Sequence, residues 1–309
     1  MSGFTRYIIQ RLLAALVTLI GVATIVFLLL RLLPGDPARI IAGLLATNEE
    51  VERIRVQLGL DKPLPVQYVI FMANLFQGDL GISARTNQPV LTEVMARLPA
   101  TLKLAVVSTA LASIFGVTAG VLAATRRYSL FDYIASFGTL IGISMPVYWL
   151  GLLLIIIFAV KLRWLPAAGA DKPTSIILPA LTLASFSIAL IARMTRASML
   201  EVLNQDYIRT ARAKGLHERV IVFRHALQNA FIPILTVIGL QFGALLGGAV
   251  LTESVFGWPG IGLLLVDSIF ARDYPVVQGT VLIFSGLFIL VNLIVDILYA
   301  YIDPRIHYG

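Results

Sequence analysis

Six apolar runs divide the chain, at residues 12–30, 99–124, 134–160, 176–192, 230–251 and 279–301, with charged or turn-forming residues between them. At about 1.5 Å of rise per residue, all but the fourth are long enough to cross a hydrocarbon layer roughly 30 Å thick. The fourth is short and is expected to begin earlier or to tilt. Arg6 and Arg11 precede the first run, and Arg31-Leu32-Leu33-Pro34 closes it. A cleavable signal peptide has a shorter apolar core and a small-residue cleavage site, so this run is expected to stay as a first span. Residues 33–98 are too polar to span and read as short capped helices. Asp36 is an N-cap ahead of Pro37, Thr47 and Glu50 have capping-box spacing, and Pro65 and Pro89 can each open a helix.

Charge orients these runs. Arg126 and Arg127 follow the second, the stretch 193–224 follows the fourth, and Arg305 follows the sixth, all on the side of Arg6 and Arg11. Within 193–224, Arg193, Arg196, Arg209, Arg212, Lys214, Arg219 and Arg224 face only Glu201, Asp206 and Glu218, a net of +4. The positive-inside rule puts that side, with both termini, in the cytosol. The expected fold is therefore an all-α integral membrane protein with six transmembrane helices and a small helical extracytoplasmic segment between the first two.

Small residues recur at four-residue steps, at Gly239, Gly243 and Gly247, at Gly116 and Gly120, and at Gly138 and Gly142. Such stripes let helices approach closely in lipid, and they place the fifth span in the middle of the bundle. A flexible gate is the alternative reading of the same glycines.

Composition narrows the chemistry. Of the 309 residues, 58% are hydrophobic and 13% charged, with a mean hydropathy of +0.89, which excludes an ordinary soluble domain. The formal charge of +7 lies beside apolar runs, where it orients spans and meets anionic headgroups, so it gives no support for nucleic-acid binding. There is no cysteine, and His217, His225 and His307 show no metal-binding spacing, so neither a metal nor a hydrolytic centre is expected. The phosphate-loop pattern is absent, as is any Gly-Lys pair, so no ATP or magnesium site is expected in this chain.

The longest charged break is the stretch 204–233, NQDYIRTARAKGLHERVIVFRHALQNAFIP. Its first half puts Tyr207, Ile208 and Ala211 on one helical stripe, with Gly215 at the stop. Val220, Phe223, Leu227 and Ala230 predict a second short amphipathic helix beyond it. ARAKG followed by a basic helix resembles the cytoplasmic loop of ATP-binding-cassette importer permeases, with the signature Glu-Ala-Ala, three residues, Gly, nine residues, Ile-x-Leu-Pro. Ala211 and Gly215 match the second alanine and the glycine. Arg209 and Thr210 depart from Glu-Ala, and His225, Ala226, Leu227 and Gln228 keep only the leucine of the closing four. The variant YIRTARAKG is similar to permeases of the dipeptide, oligopeptide, glutathione and nickel class, of the dipeptide permease B type. LPGDPARIIAG, QLGLDKPLPVQY and GDLGIS, and later FGWPGIG with RDYPVVQ, resemble the external segments of that class.

The resemblance implies one permease domain over residues 1–309. Its parts would be a first span at 1–31, an extracytoplasmic segment at 32–98, a five-span core at 99–301 with a coupling loop at 193–229, and a cytoplasmic tail at 302–309. It implies a pore-forming subunit in a bacterial or archaeal cytoplasmic (inner) membrane, importing short peptides or glutathione. Implied partners are a second, similar permease, two cytosolic ATPases carrying ATP and magnesium, and an external solute-binding protein. Tyr207, Arg209, Thr210, Ala211, Arg212, Lys214, Gly215 and Leu216 would couple to the ATPases. Glu253, Trp258 and Asp267 in the segment after the fifth span, with Asn292 and Asp296 in the sixth, are candidates for the pathway or for the face turned to the binding protein. Intramembrane polar groups of this kind are costly. For Asp296 a structural pair with a basic residue near the cytosolic face is the other reading, and for Trp258 an interfacial anchor. Rival functions are a nickel or other small-solute importer of the same class, a gradient-driven carrier and a membrane enzyme. A carrier calls for internal repeats and midplane titratable groups, and an enzyme for a nucleophile, a metal or paired acids. Neither pattern is evident in the sequence.

Overall fold

The computed structural model describes residues 3–32, 37–42, 46–57 and 59–302. Asp36, Arg305 and the tail from residue 303 lie outside them, and with them the capping and charge expected there. Among the described residues the regular structure is all helical, apart from a lone bridge between Ile82 and Pro89. The elements are α1 (Gly3–Leu32), α2 (Pro37–Ala42), α3 (Asn48–Gln57), α4 (Leu64–Phe76), α5 (Val90–Thr125), α6 (Leu130–Ser144), α7 (Val147–Leu154), α8 (Ile177–Leu203), α9 (Asp206–Ala213), α10 (Glu218–Val220), α11 (Gln228–Phe256), α12 (Ile261–Phe270) and α13 (Tyr274–Ile302). Five helices are long and apolar enough to cross a membrane, and α6 with the segment from Val147 to Lys161 makes a sixth if that bent pair counts as one crossing.

Local chemistry explains the boundaries. Thr47 and Glu50 form the expected capping box: the Thr47 backbone N–H donates to Glu50 at 2.8 Å and the Glu50 N–H to the Thr47 hydroxyl at 3.3 Å. Those bonds from Thr47 hold the Glu50 carboxyl below its usual range. Pro65 sits in the first turn of α4, where its missing N–H costs nothing. Pro89 opens α5 itself, so the second long helix starts well before the apolar run at 99 and carries Pro99 in its interior. The third run is no continuous span. It breaks at Met145-Pro146 with a bend of 107°, because proline disfavours helical backbone in the residue before it, and Met145 is extended.

The fourth run becomes a full-length helix, since α8 continues through the polar residues to Leu203. It is also the most enclosed. Of its most apolar window 61% is buried, against 39% for α5 and 28% for the helix Glu218–Phe256 that contains α11, so α8 and not the fifth expected span forms the centre. Glycine makes the central contact possible. A Cβ at Gly120 would lie 2.5 Å from Thr195 and 2.6 Å from the Ala192 carbonyl, and one at Gly116 would lie 2.8 Å from Ile191. Gly142 approaches Ala189 and Gly239 approaches Val295, whereas Gly138 and Gly247 meet nothing within 4 Å. Gly243 faces Asn292, Phe288 and Val291 of α13, a contact inside the chain.

At one end of the bundle, here the basic end, α9 and the residues leading into α11 close over the ends of α5 and α8. At the other, α12 and the start of α13 cover the ends of α5 and α11. The outer helix α1 lies on α13 and α4, with Thr24 and Tyr68 hydroxyls 2.7 Å apart and Arg11 paired to Asp296 at 2.8 Å.

Replacing Gly120 by leucine should separate α5 from α8 and sharply lower the thermal stability of the purified protein. Gly138→Leu, where a side chain meets open space, should leave that melting temperature within a few degrees of wild type, as measured by thermal unfolding in detergent.

Candidate functional site

Two polar constructions occupy opposite ends of the bundle. At the basic end, α9 is held by its apolar side. Ile208 and Ala211 are buried with Val121 and Ala124 of α5, Met199 of α8, and Ile221, Val222, Ala226, Ala230 and Ile234 of the helix that follows. One apolar cluster thus joins α9 to three long helices, and burying such a side chain stabilises by about 1.5–3 kcal/mol. Tyr207, expected on the same stripe, is 44% exposed and stands on the outer side of α9 with Arg209, Thr210, Arg212 and Lys214.

The loop after α9 is built on Gly215. Its backbone is left-handed, at φ +77°, and a Cβ there would meet no neighbour, so the requirement for glycine is conformational. Its N–H donates to the Arg212 carbonyl at 2.9 Å, and the Leu216 N–H to Ala211 at 3.3 Å. Arg212 then pairs with Glu218 at 2.8 Å across the turn.

The second half of this stretch differs from expectation. It is no separate short helix: helix runs on from Glu218 to Phe256. Residues Ile221–Leu227 are π-helical, with i→i+5 bonding. That wider turn moves the buried face to Ile221, Val222 and Ala226, with Ala230 buried as expected, while Val220 and Phe223, placed on the apolar stripe by a 3.6-residue period, are 38% and 61% exposed. Leu216, at 41%, and Phe223 join Tyr207 as exposed apolar groups in this basic region.

At the opposite end, Glu253 is fully buried. Its carboxylate accepts from the Thr101 hydroxyl at 2.7 Å and from the backbone N–H groups of Gly262 at 2.6 Å and Leu263 at 3.1 Å, while Thr101 accepts from the Ile261 N–H at 2.8 Å. The first turn of α12 therefore has its unpaired donors satisfied by side chains of α5 and α11. Gly260 makes room, since a Cβ there would overlap the carboxylate. Trp258 is buried beside Leu104, Leu245 and Ala249 and donates its indole N–H to the Ala100 carbonyl at 3.0 Å. Glu253 and Trp258 are thus enclosed within the chain, and Asp267 on α12 is exposed. Asn292 and Asp296 lie half-buried on α13, the latter paired to Arg11 as the structural reading anticipated.

Three polar contacts went unread in the sequence. Arg196 forms a two-pronged pair with Asp132, at 2.7 and 2.9 Å, joining α8 to the start of α6. Asp273 accepts from the Ser83 hydroxyl at 2.6 Å and from the N–H groups of Ala84 and Arg85, fixing the loop before α5 to the α12–α13 junction. Ser187 of α8 donates to Gln241 of α11 at 3.0 Å. Both residues of that last pair lie inside apolar runs, and nothing in the sequence marks them as partners. Among the described residues no cluster of acids or histidines could hold a metal ion.

A sequence profile described as binding-protein-dependent transport system inner membrane component matches residues 116–308, and a companion N-terminal profile matches 4–105. The glutathione transport system permease protein GsiC of Escherichia coli (strain K12) is 50% identical over 303 residues, 98% of this chain and 99% of its own length. The protein of the same name from Pectobacterium atrosepticum is 51% identical with the same coverage. Among solved structures, the MetNI methionine ABC transporter in inward-facing conformations superposes with a TM-score of 0.57 at 21% identity, over 68% of this chain and 96% of its own. An amino acid ABC transporter with histidines gives 0.51 at 18% identity, over 70% and 94%. These two likenesses speak for the fold alone.

Glu253→Ala should leave the donors of Thr101, Gly262 and Leu263 buried without an acceptor, at about 1–3 kcal/mol for each. The expected outcome is faster tryptic cleavage at Arg272 and a lower melting temperature. Glu253→Gln, which keeps the shape but turns one acceptor into a donor, should fall between Ala and wild type.

Proposed function

The chain belongs to the family of binding-protein-dependent transport system inner membrane components, and from that premise we propose how it works and what it carries. It is a pore-forming permease subunit of an ATP-binding-cassette importer in a bacterial inner membrane, and ATP hydrolysis belongs to separate subunits. The reading offered for its cargo is a short peptide of the glutathione type, supported by 50% identity to a glutathione permease along nearly the whole chain. The reading includes six spans with both termini in the cytosol, supported by the bent α6–α7 pair taken as one crossing and by the basic residues gathered at one end. The chain then works beside a second permease of the same kind, two ATPase subunits and an external binding protein.

The observation that carries the mechanism is the placement of α9. Its inner side is packed on the ends of three long helices, while Tyr207, Arg209, Thr210, Arg212, Lys214 and Leu216 are exposed around the Gly215 turn. An ATPase pressing on that outer surface moves α5, α8 and α11 together. At the far end, Glu253 and Trp258 hold the turn before α12 in place, and Asp267 is offered there as a contact for the binding protein. Asp296 ties α1 to α13 through Arg11, and Asn292, against Gly243, is a candidate lining of the path.

Orientation can be read with single cysteines, since the chain has none of its own. A membrane-impermeant thiol reagent on intact cells should label Thr47→Cys and leave Glu218→Cys untouched; efficient labelling of the second variant would reverse the topology. Uptake of labelled glutathione by the complete transporter tests the cargo. It should depend on the loaded binding protein, and uptake of another solute with glutathione ignored would overturn the assignment. Gly215→Val forces a branched side chain into left-handed backbone, at a cost of about 1 kcal/mol or more. The variant should assemble yet lose substrate-stimulated ATP hydrolysis. Arg212→Ala, breaking an exposed pair that contributes about 0–1 kcal/mol, should lose far less.

A further inference from the structure

A groove at the basic end shares no residue with the proposed coupling surface. It opens between α5, α6 and α8 with a cavity volume of about 380 Å³, lined among others by Ala135, Ser136, Thr139, Leu140, Arg193 and Arg196. Its two cations differ. Arg196 is neutralised by Asp132, whereas Arg193 is exposed and forms no ion pair among the described residues. The site therefore presents one uncompensated positive charge above walls that are mostly aliphatic, flanked by the Ser136 and Thr139 hydroxyls.

The flank of this groove has the character of a membrane interface. Tyr128, Phe131 and Tyr133, at the start of α6, are 68%, 56% and 63% exposed, and Arg126 and Arg127 lie over the rings of Phe131 and Tyr128 at 5.0 and 4.6 Å. Exposed aromatics interleaved with arginine at one helix end form the belt that lipid headgroups meet. Leu140, further along α6, is 62% exposed and continues the apolar wall away from the charged rim. A charged rim and an open apolar trough match a ligand with an anionic head and an aliphatic tail.

We propose that the groove between α5, α6 and α8 is a binding site for an anionic phospholipid, whose phosphate sits at Arg193 beside Arg196 and whose chain lies along Leu140. The lipid fills the gap between α6 and α8 beside their direct contact at Asp132 and Arg196. It props α6, which otherwise meets α8 through the Asp132–Arg196 pair and the Gly142–Ala189 approach. The site depends on the membrane setting of the chain and not on what the chain transports, so its failure would leave the transport reading intact.

Native mass spectrometry of the full chain in detergent, with equal amounts of phosphatidylglycerol and phosphatidylcholine added, tests the assignment. Phosphatidylglycerol should be retained in preference. Arg193→Gln, an exposed substitution compatible with folding, should reduce its retention about fivefold while phosphatidylcholine is unchanged, and Arg193→Lys should restore most of the preference. Ala135→Phe, which fills the trough and leaves every charge in place, should abolish the preference. Equal retention of the two lipids, or an unchanged preference in Arg193→Gln, would overturn the proposal. Displacement of phosphatidylglycerol by inorganic phosphate would also overturn it, by making this a free-anion site and not a lipid site.

Discussion

The approach of α5 to α8 at Gly116 and Gly120 is the contact on which the rest of the bundle depends. Hydrocarbon supplies no hydrophobic drive between helices, so association rests on close packing and on polar pairs, and glycine allows the backbones to meet where any side chain would hold them apart. The pair formed in this way runs the full depth of the molecule. One end supplies Val121, Ala124 and Met199, the seat of α9. The other supplies Thr101, Ala100 and Leu104, which receive Glu253, Ile261 and Trp258. On the proposed reading, a displacement entering at α9 would reach the far end through this pair, whose backbones meet closely at Gly116 and Gly120.

Several of the polar groups that remain inside are committed to joints, whereas the buried hydroxyls of Ser108, Thr182, Thr195, Thr252 and Thr280 find no partner among the described residues. Glu253 satisfies the start of α12, Asp132 fixes α6 to α8, Asp273 fixes the loop before α5, and Ser187 meets Gln241. Each joint ties elements distant in sequence, and each places a charge or hydroxyl where leaving it unpaired would be costly. Two features break the pattern of rigid joints. The bend at Met145-Pro146 and the π-helical stretch Ile221–Leu227 interrupt regular α-helix, and the second lies directly between the α9 turn and α11.

What could be read from the sequence divides along physical lines. Apolar runs and arginine placement carry the lipid-facing order of the chain, so the long helices and the basic end emerged from a one-dimensional pattern. The Thr47–Glu50 cap and the Gly215 stop emerged as well, because their partners lie within a few residues. The bend at Pro146 was concealed because the apolar run continues through it. The shifted face at Ile221–Leu227 was concealed because a period of 3.6 residues was assumed where the helix is wider. That α8 is the central helix could not be counted from glycines: the stripe on α11 meets α13 at Gly239 and Gly243 and open space at Gly247. Asp132 with Arg196, and Thr101 with Glu253, are separated by 64 and 152 residues, and nothing local marks them as partners.

The central claim is that α9 moves as one body with the ends of α5, α8 and α11. Spin labels on cysteines introduced at Thr210 of α9 and Thr125 at the end of α5, both exposed positions in a chain otherwise free of cysteine, report on it directly. Their separation, measured by pulsed electron resonance in the assembled transporter without nucleotide and with ATP trapped, should stay constant while ATPase activity remains stimulated by loaded binding protein. A clear change in that distance between the two nucleotide states would show α9 sliding over the bundle and would contradict the account.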